Sequence, residues 1–361
     1  MNSKSSPSNR NNKRRKKPAP NNGESWLRRY RLHFILTLSV LSVIVIGAAI
    51  YTLKPYSGDP VWVYVPRDAS SADVRGALRE SLGRGVGDRV YALWRLQGGE
   101  PATAHGAYRV QSGEWAVKIA RHLSKGMQTP VRVSWTDART MDQLAAKLAV
   151  SVECSAVDFL EACRGILPGA GFSEPEFPAA FVPDTYEVYW SSSADELVRR
   201  LLDYRNRYWT SERVNRAAGL GLSPTQAATL ASIVEEESAK GDERPKIARL
   251  YLNRLKKGML LQADPTVKFA VGDFSLRRIK GEHLAKESAY NTYKRRGLPP
   301  GPIRIASKQG IEAVLSAPSH DYLYMCAKED FSGYHNFAVD YATHMANARR
   351  YQAQLNRRNI H

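Results

Sequence analysis

Ser223-Pro224-Thr225-Gln226-Ala227-Ala228-Thr229-Leu230-Ala231-Ser232-Ile233-Val234-Glu235-Glu236-Glu237 has every mark of a helix that carries chemistry. Ser223 suits the cap, Pro224 the first helical position, where a missing N–H costs nothing, and Gln226 the third, from which it reaches back. Ala227, Leu230, Ala231 and Val234 then define a buried stripe. At roughly 100° per residue, Glu237 lies about 20° from Leu230 around the axis, on the apolar face. Glu235 and Glu236 lie about 140° and about 120° away on opposite sides, where they can reach solvent. A carboxylate on a buried stripe loses hydration, so its pKa rises toward the range of a general acid. Glu237 is therefore the candidate catalytic residue. Two structural alternatives stand beside it: a frayed helix end near Gly241, and an ion pair with Arg244.

Downstream, Pro245, Ile247, Leu250, Tyr251 and Leu255 predict a second helix that stops at Gly258 and packs beside the first. Asp264 before Pro265 reads as an N-cap pair of a third helix. Tyr290-Asn291-Thr292-Tyr293 and Leu298-Pro299-Pro300-Gly301-Pro302 add an aromatic, amide-rich segment and a rigid loop, groups that suit sugar rings and also suit turns. Upstream, Val61 to Val65, Gly106 to Val110 and Val131 to Trp135 predict strands. Between them run helical stripes: Val74, Ala77, Leu78 and Leu82; Ala116, Ile119, Ala120 and Leu123, with Ser112 as cap; and Met141, Leu144, Ala145 and Leu148, with Thr140 and Gln143 as a capping box. Gly83-Arg84-Gly85-Val86-Gly87 follows a helix rather than a strand, so it reads as a turn and not as a phosphate-cradling loop.

The turn-rich stretch Leu167 to Pro178 marks a domain boundary. The fold class is α+β. A small membrane-proximal α/β module covers 57–168 and a mixed α/β catalytic domain covers 176–361. Before them, residues 1–33 form a disordered basic tail, and Phe34 to Leu53, about twenty residues without a charge, is a transmembrane helix. A cleaved signal peptide, with Gly47-Ala48-Ala49 as its small-residue site, is the alternative. Ten Lys and Arg precede the span, opposed only by Glu24, and Lys54 alone follows it closely, which places the N-terminus in the cytoplasm. Half of the formal charge of +18 thus sits in the tail. It reads as a topology signal, and no nucleic acid is expected as a partner. Cys154, Cys163 and Cys326 are too few for a disulfide scaffold and lack zinc spacing; Cys154 and Cys163 are expected to be free thiols, and Cys326 buried and inert. The eight histidines fall singly, so no metal or cofactor is expected.

Taken together, Ala231-Ser232-Ile233-Val234-Glu235-Glu236-Glu237, Asn253-Arg254-Leu255, Leu261-Gln262-Ala263-Asp264-Pro265-Thr266-Val267, Tyr290-Asn291-Thr292-Tyr293 and Leu298-Pro299-Pro300-Gly301 resemble the YceG-like endolytic murein transglycosylases in order and spacing. Phe181-Val182-Pro183-Asp184-Thr185-Tyr186, Tyr322-Leu323-Tyr324 and His335-Asn336-Phe337 extend the resemblance, which runs from about Pro60 to Tyr351. Gly106 to Leu123 looks weakly like the family's LysM-like subdomain. The resemblance implies that Glu237 is the catalytic glutamate and that Gln262, Asp264, Tyr290 and Asn291 line the substrate groove. It implies peptidoglycan glycan strands as substrate, cut internally outside an inner membrane, and peptidoglycan synthases as partners. A muramidase using Asp264 or Asp184 as a second carboxylate, and a non-enzymatic wall-binding or divisome scaffold, remain the alternatives.

Overall fold

The computed structural model describes residues 1, 22–276 and 279–358; the tail from Asn2 to residue 21 lies outside the described residues. Helix α1 (Asn22–Leu53) contains Tyr30–Thr52, 23 residues of mean hydropathy 2.5, long and apolar enough to cross a membrane. Phe34, Ile35, Leu41, Val43 and Ile46 on it are exposed, an apolar surface compatible with a membrane span.

The chain beyond α1 builds three apolar cores, each served by one two-stranded antiparallel sheet. In the first core, β1 (Val61–Val65) leads to α2 (Ser71–Leu82), α3 (Arg84–Leu96), the short α4 (Pro101–Ala104), β2 (Gly106–Val110) and α5 (Ala116–Ser124). β1 and β2 pair in the register Val63↔Tyr108, and Val63, Leu78, Trp94 and Ile119 fill the core. The expected turn after α2 is confined to Gly83, at φ 77; Gly85 and Gly87 lie inside α3. Packing explains Gly87, since a Cβ there would meet the Leu78 carbonyl oxygen at 2.6 Å; this glycine lets two helices touch. Ser112 is not the cap of α5: that position falls to Trp115, without a side-chain bond.

The second core joins β3 (Val131–Ser134), α6 (Met141–Ala149), α7 (Ala156–Ile166), β4 (Thr185–Val188) and α8 (Ala194–Tyr208). Thr140 accepts from Gln143 N at 3.2 Å as its pattern predicts, although the Gln143 side chain accepts from Arg139 N at 2.8 Å instead of closing the box. β3 pairs with β4 in the register Val133↔Tyr186, across some fifty residues, and Trp135 stacks on Tyr186 at 4.7 Å. Leu167, Phe172 and Phe177 from the turn-rich stretch are buried in this same core.

The third core is built by α9 (Ser211–Gly219), α10 (Pro224–Glu237), α11 (Arg244–Lys256), α12 (Asp264–Val271) and α14 (Lys308–Leu315), with the one-turn α13 (Gly281–Leu284) outside it against α12. It is edged by the hairpin β5 (Tyr324–Ala327) and β6 (His335–Ala338), on which α15 (Tyr341–Arg357) packs. α10 lies between α11 and α14, with Leu230, Ile233, Val234, Ile247, Tyr251 and Ile311 closing the space. The rigid Pro299-Pro300-Gly301-Pro302 loop ties this core to the second one. A Cβ on Gly301 would meet the Pro175 carbonyl oxygen at 1.8 Å, a backbone contact that no rotamer change relieves. Gly301→Ala should therefore cost about 2 kcal/mol or more, read as a lowered urea midpoint; an unchanged midpoint would remove this loop from the stability argument.

Candidate active site

The cap of α10 forms as its sequence predicts: Ser223 Oγ accepts from Gln226 N at 3.2 Å and Gln226 Oε1 accepts from Ser223 N at 2.9 Å. The helix then runs unbroken to Glu237, with Ser238 as its C-cap. The expectation that both Glu235 and Glu236 can reach solvent fails for Glu235, which is buried, while Glu236 stays partly exposed. Ser307, the cap of α14, donates to Glu235 from its backbone N at 2.9 Å and from Oγ at 2.5 Å, and Arg244 stands 3.6 Å away. Glu236 is held by Arg139 at 2.9 Å and Arg304 at 2.8 Å. α14 covers the side of α10 that a lone helical wheel assigns to water. Arg244 thus pairs with Glu235, not with Glu237.

Glu237 opens on a cleft of about 320 Å³. Its Oε1 accepts a 2.6 Å bond from the hydroxyl of Tyr251, a residue of α11 that is 1% exposed. Burial pushes the Glu237 carboxyl up to about 7; the Tyr251 bond pulls against this, and the nearby Asp264 charge adds to it. The C-terminal end of α10, with its partial negative charge, is also a poor place for a carboxylate. Burial and the neighbouring Glu237 drive the Tyr251 hydroxyl well above its ordinary range, so it stays a donor. Tyr251→Phe should consequently move the Glu237 titration to higher pH, seen as an upward shift of the basic limb of activity. A limb that stays in place would mean that the bond does not tune the carboxyl.

Opposite Glu237 the wall is built on a strained turn. Gln262 is at φ 54, a left-handed conformation that a non-glycine residue adopts at a cost of about 1 kcal/mol or more. Its Oε1 accepts from Arg254 Nη2 at 2.5 Å and its N–H donates to Thr292 O at 3.1 Å. Asp264 is not the N-cap of α12: Ala263 holds that position and Asp264 is the first helical residue. Its Oδ1 instead accepts from Tyr293 OH at 2.6 Å. Glu237, Gln262 and Asp264 thus line one cleft with Tyr251, Arg254 and Tyr293.

Tyr290 and Asn291 are not brought into that lining. Asn291 is fully buried, donates to Leu284 O at 3.0 Å and Lys286 O at 2.7 Å, and accepts from Tyr293 N at 3.1 Å; it holds the loop that presents Tyr293. Tyr290 packs on Phe269 at 4.6 Å. Asp184 is also outside the cleft, bound by Lys308 and Tyr204. Cys326 is partly exposed in the β5 wall of the cleft, not buried; all three cysteines are free thiols. Among the described residues, no group of three or more His, Cys, Asp or Glu is placed to hold a metal ion.

Sequence reasoning did not single out Tyr251, Arg254 or Tyr293 as site residues, although Arg254 and Tyr293 stand in the motifs quoted above. The usable signal was Tyr251, a hydroxyl on the apolar stripe of α11 that must find a partner when buried. Arg254 is 8% exposed, makes no ion pair among the described residues, and leaves its Nε without a partner. Size does not select this site, since four larger grooves, of about 530 to 940 Å³, lie elsewhere among the described residues. What selects it chemically is one carboxyl poised to give up and retake a proton near neutrality, in a cleft walled by tyrosines and amide.

A mixed helix and strand fold with such a cleft at the end of a buried helix defines the class, and the chain belongs to the YceG-like family, matched over residues 63–350. An endolytic murein transglycosylase of Bacillus subtilis is 37% identical over 157 residues, which cover 43% of this chain and 41% of that protein. One from Streptococcus pneumoniae is 31% identical over 149 residues, 40% of this chain and 27% of the relative. The matches therefore span less than half the length of either relative. A crystal structure of a yceG-like protein from Listeria monocytogenes superposes with a TM-score of 0.51 at 23% identity, over 80% of this chain and 98% of that one, a likeness of fold.

Proposed function

We propose that this protein is a membrane-anchored lytic transglycosylase that cuts peptidoglycan glycan strands internally, at the β-1,4 bond between N-acetylmuramic acid and N-acetylglucosamine. The observation that carries this reading is Glu237, its carboxyl raised to about 7 and oriented by Tyr251 in the cleft. Protonated Glu237 gives its proton to the bridging oxygen as the bond from C1 breaks. The carboxylate so formed takes the proton of the muramic acid C6 hydroxyl, which closes on C1 to form a 1,6-anhydro ring. No water is consumed and Glu237 ends as it began. The tethered hydroxyl replaces a second catalytic carboxylate, because an intramolecular nucleophile acts at a very high effective concentration. Gln262 and Asp264 hold the sugar in this reading, while Asn291 and Tyr290 act from behind by fixing the loop of Tyr293.

α1 is the anchor, with the basic N-terminal side in the cytoplasm and the cleft outside the inner membrane. Cleavage there limits strand length beside the synthases that make the strands. The rival that an observation favours is a hydrolase with Asp264 as second carboxylate, since Asp264 shares the cleft and its charge reaches Glu237. Mass spectrometry of the products separates the two. Strands ending in 1,6-anhydromuramic acid support the lytic reaction, and new reducing ends would replace it with hydrolysis. A full chain that releases neither product from purified sacculi would leave only a wall-binding scaffold.

A further inference from the structure

The first and second cores meet along a groove of about 900 Å³, walled on one side by β1 and β2 and on the other by β3 and β4. β1 alternates in an unusual way. Val63 and Val65 are fully buried, as an inward face should be, and the outward face carries Trp62, which packs in part against the second core, and the exposed Tyr64, where a solvated strand would carry charge. The two rings stack at 6.0 Å with their planes 20° apart, and Trp190, just beyond β4, lies 5.1 Å from Tyr64. Tyr64 is 41% exposed.

Polar groups frame these rings. Arg109, directly opposite Trp62 across the β1–β2 pair, is exposed and has no ion pair among the described residues. Arg132 and Glu187 face each other across β3–β4 at 3.5 Å, offering a donor and an acceptor at the rim. Planar aromatic faces with a few donors and acceptors of both signs suit a ring that has an apolar C–H face and a polar hydroxyl and amide edge. A β-linked amino sugar has that form. An anionic lipid surface fits less well, because the Glu187 carboxylate stands in the groove. The cleft around Glu237 has about a third of this volume and cannot by itself hold a long strand.

We propose that the groove of Trp62, Tyr64, Trp190 and Arg109 is a second glycan-binding site, which grips a strand away from the point of cleavage. The inference rests on the glycan reading of the previous subsection. A strand held at two places is presented to Glu237 from its middle, which is what internal cutting requires.

The test uses the full chain in detergent micelles, carrying Glu237→Gln so that bound strands are not cut, and measures co-sedimentation with purified sacculi. Tyr64→Ala with Arg109→Ala should bind about tenfold more weakly than the parent, and Arg109→Ala alone, which disturbs no packing, should show part of that loss. Trp115→Ala removes an exposed aromatic outside the groove and should bind like the parent. Thermal midpoints confirm that the variants remain folded. Groove variants that bind sacculi as tightly as the parent, while the wild-type chain still cuts them, would overturn the groove and leave the enzyme intact. Loss of binding to phosphatidylglycerol vesicles with sacculus binding unchanged would reassign the surface to the membrane. A parent that does not sediment with sacculi and a wild type that does not cut them would remove both readings together.

Discussion

Glu237→Gln is expected to lower glycan cleavage by at least about a thousandfold, because the amide keeps the shape of the side chain but can neither give nor take the proton. The same substitution should make the protein more stable above neutrality. Folding raises this carboxyl from 4.5 to about 7, so between those values the folded state binds a proton that the unfolded state has released. The stability contributed by that proton is complete below pH 4.5 and is lost as pH rises through 7. Above that point the wild type carries an ionised, poorly hydrated group at a cost of up to about 3 kcal/mol, which the neutral amide avoids. Urea unfolding at pH 5 and pH 8 should thus show little difference between the two proteins at the lower pH and a more stable variant at the higher. Cleavage by the wild type should fall over the same interval, as the acid form disappears. A variant that cuts as fast as wild type would end the assignment, and one that is equally stable at both pH values would mean the carboxyl is better hydrated than its surroundings indicate.

Glu235→Ala should damage the protein by another route. Removing this carboxylate strands the Ser307 N–H and hydroxyl, and leaves Arg244, itself mostly buried, without its countercharge. The loss of one partner of such a buried group costs about 3–5 kcal/mol, enough to leave a large share of a marginal domain unfolded. The urea midpoint should drop steeply and activity should fall only in proportion to the folded fraction. Glu236→Gln, whose partners Arg139 and Arg304 are closer to solvent, should retain most of both. If Glu235→Ala folds normally and is inactive, Glu235 belongs to the chemistry and not to the frame.

These two neighbours show how far the sequence could be read. The cap at Ser223 and the stripe Ala227, Leu230, Ala231 and Val234 are local facts, stated within one helix, and they put Glu237 beside α11 and the cleft. The burial of Glu235 is not local. It depends on Ser307 and Gly310, more than seventy residues later, where a Cβ on Gly310 would meet the Glu235 carboxyl carbon at 2.5 Å. Periodicity reports which residues share a face, not which faces find a neighbour. α3 was hidden for a different reason: Gly85 and Gly87 are poor helix formers, and the approach of α2 to α3, which no local pattern reports, explains Gly87. Asp264 was misread because a carboxylate before proline suits a cap, while the bond it makes is to Tyr293, twenty-nine residues away. The aromatic groove drew no attention at all, as its two walls come from strands paired across distant parts of the chain.

The lock of Ser307 onto Glu235 also sets an order of events during synthesis. A ribosome delivers the N-terminal core first, and the buried residues of that core all lie between Tyr56 and Leu123, so its apolar partners are present once the chain has passed Ser124. The helix bearing Glu237 is made next but must wait for α14 before its buried charge is matched. For that interval the nascent chain has both walls of the aromatic groove and an unfinished Glu237 cleft. In the proposed reading, a chain assembled this way gains its acid only when almost all of it exists, because the surroundings of Glu237 are completed late.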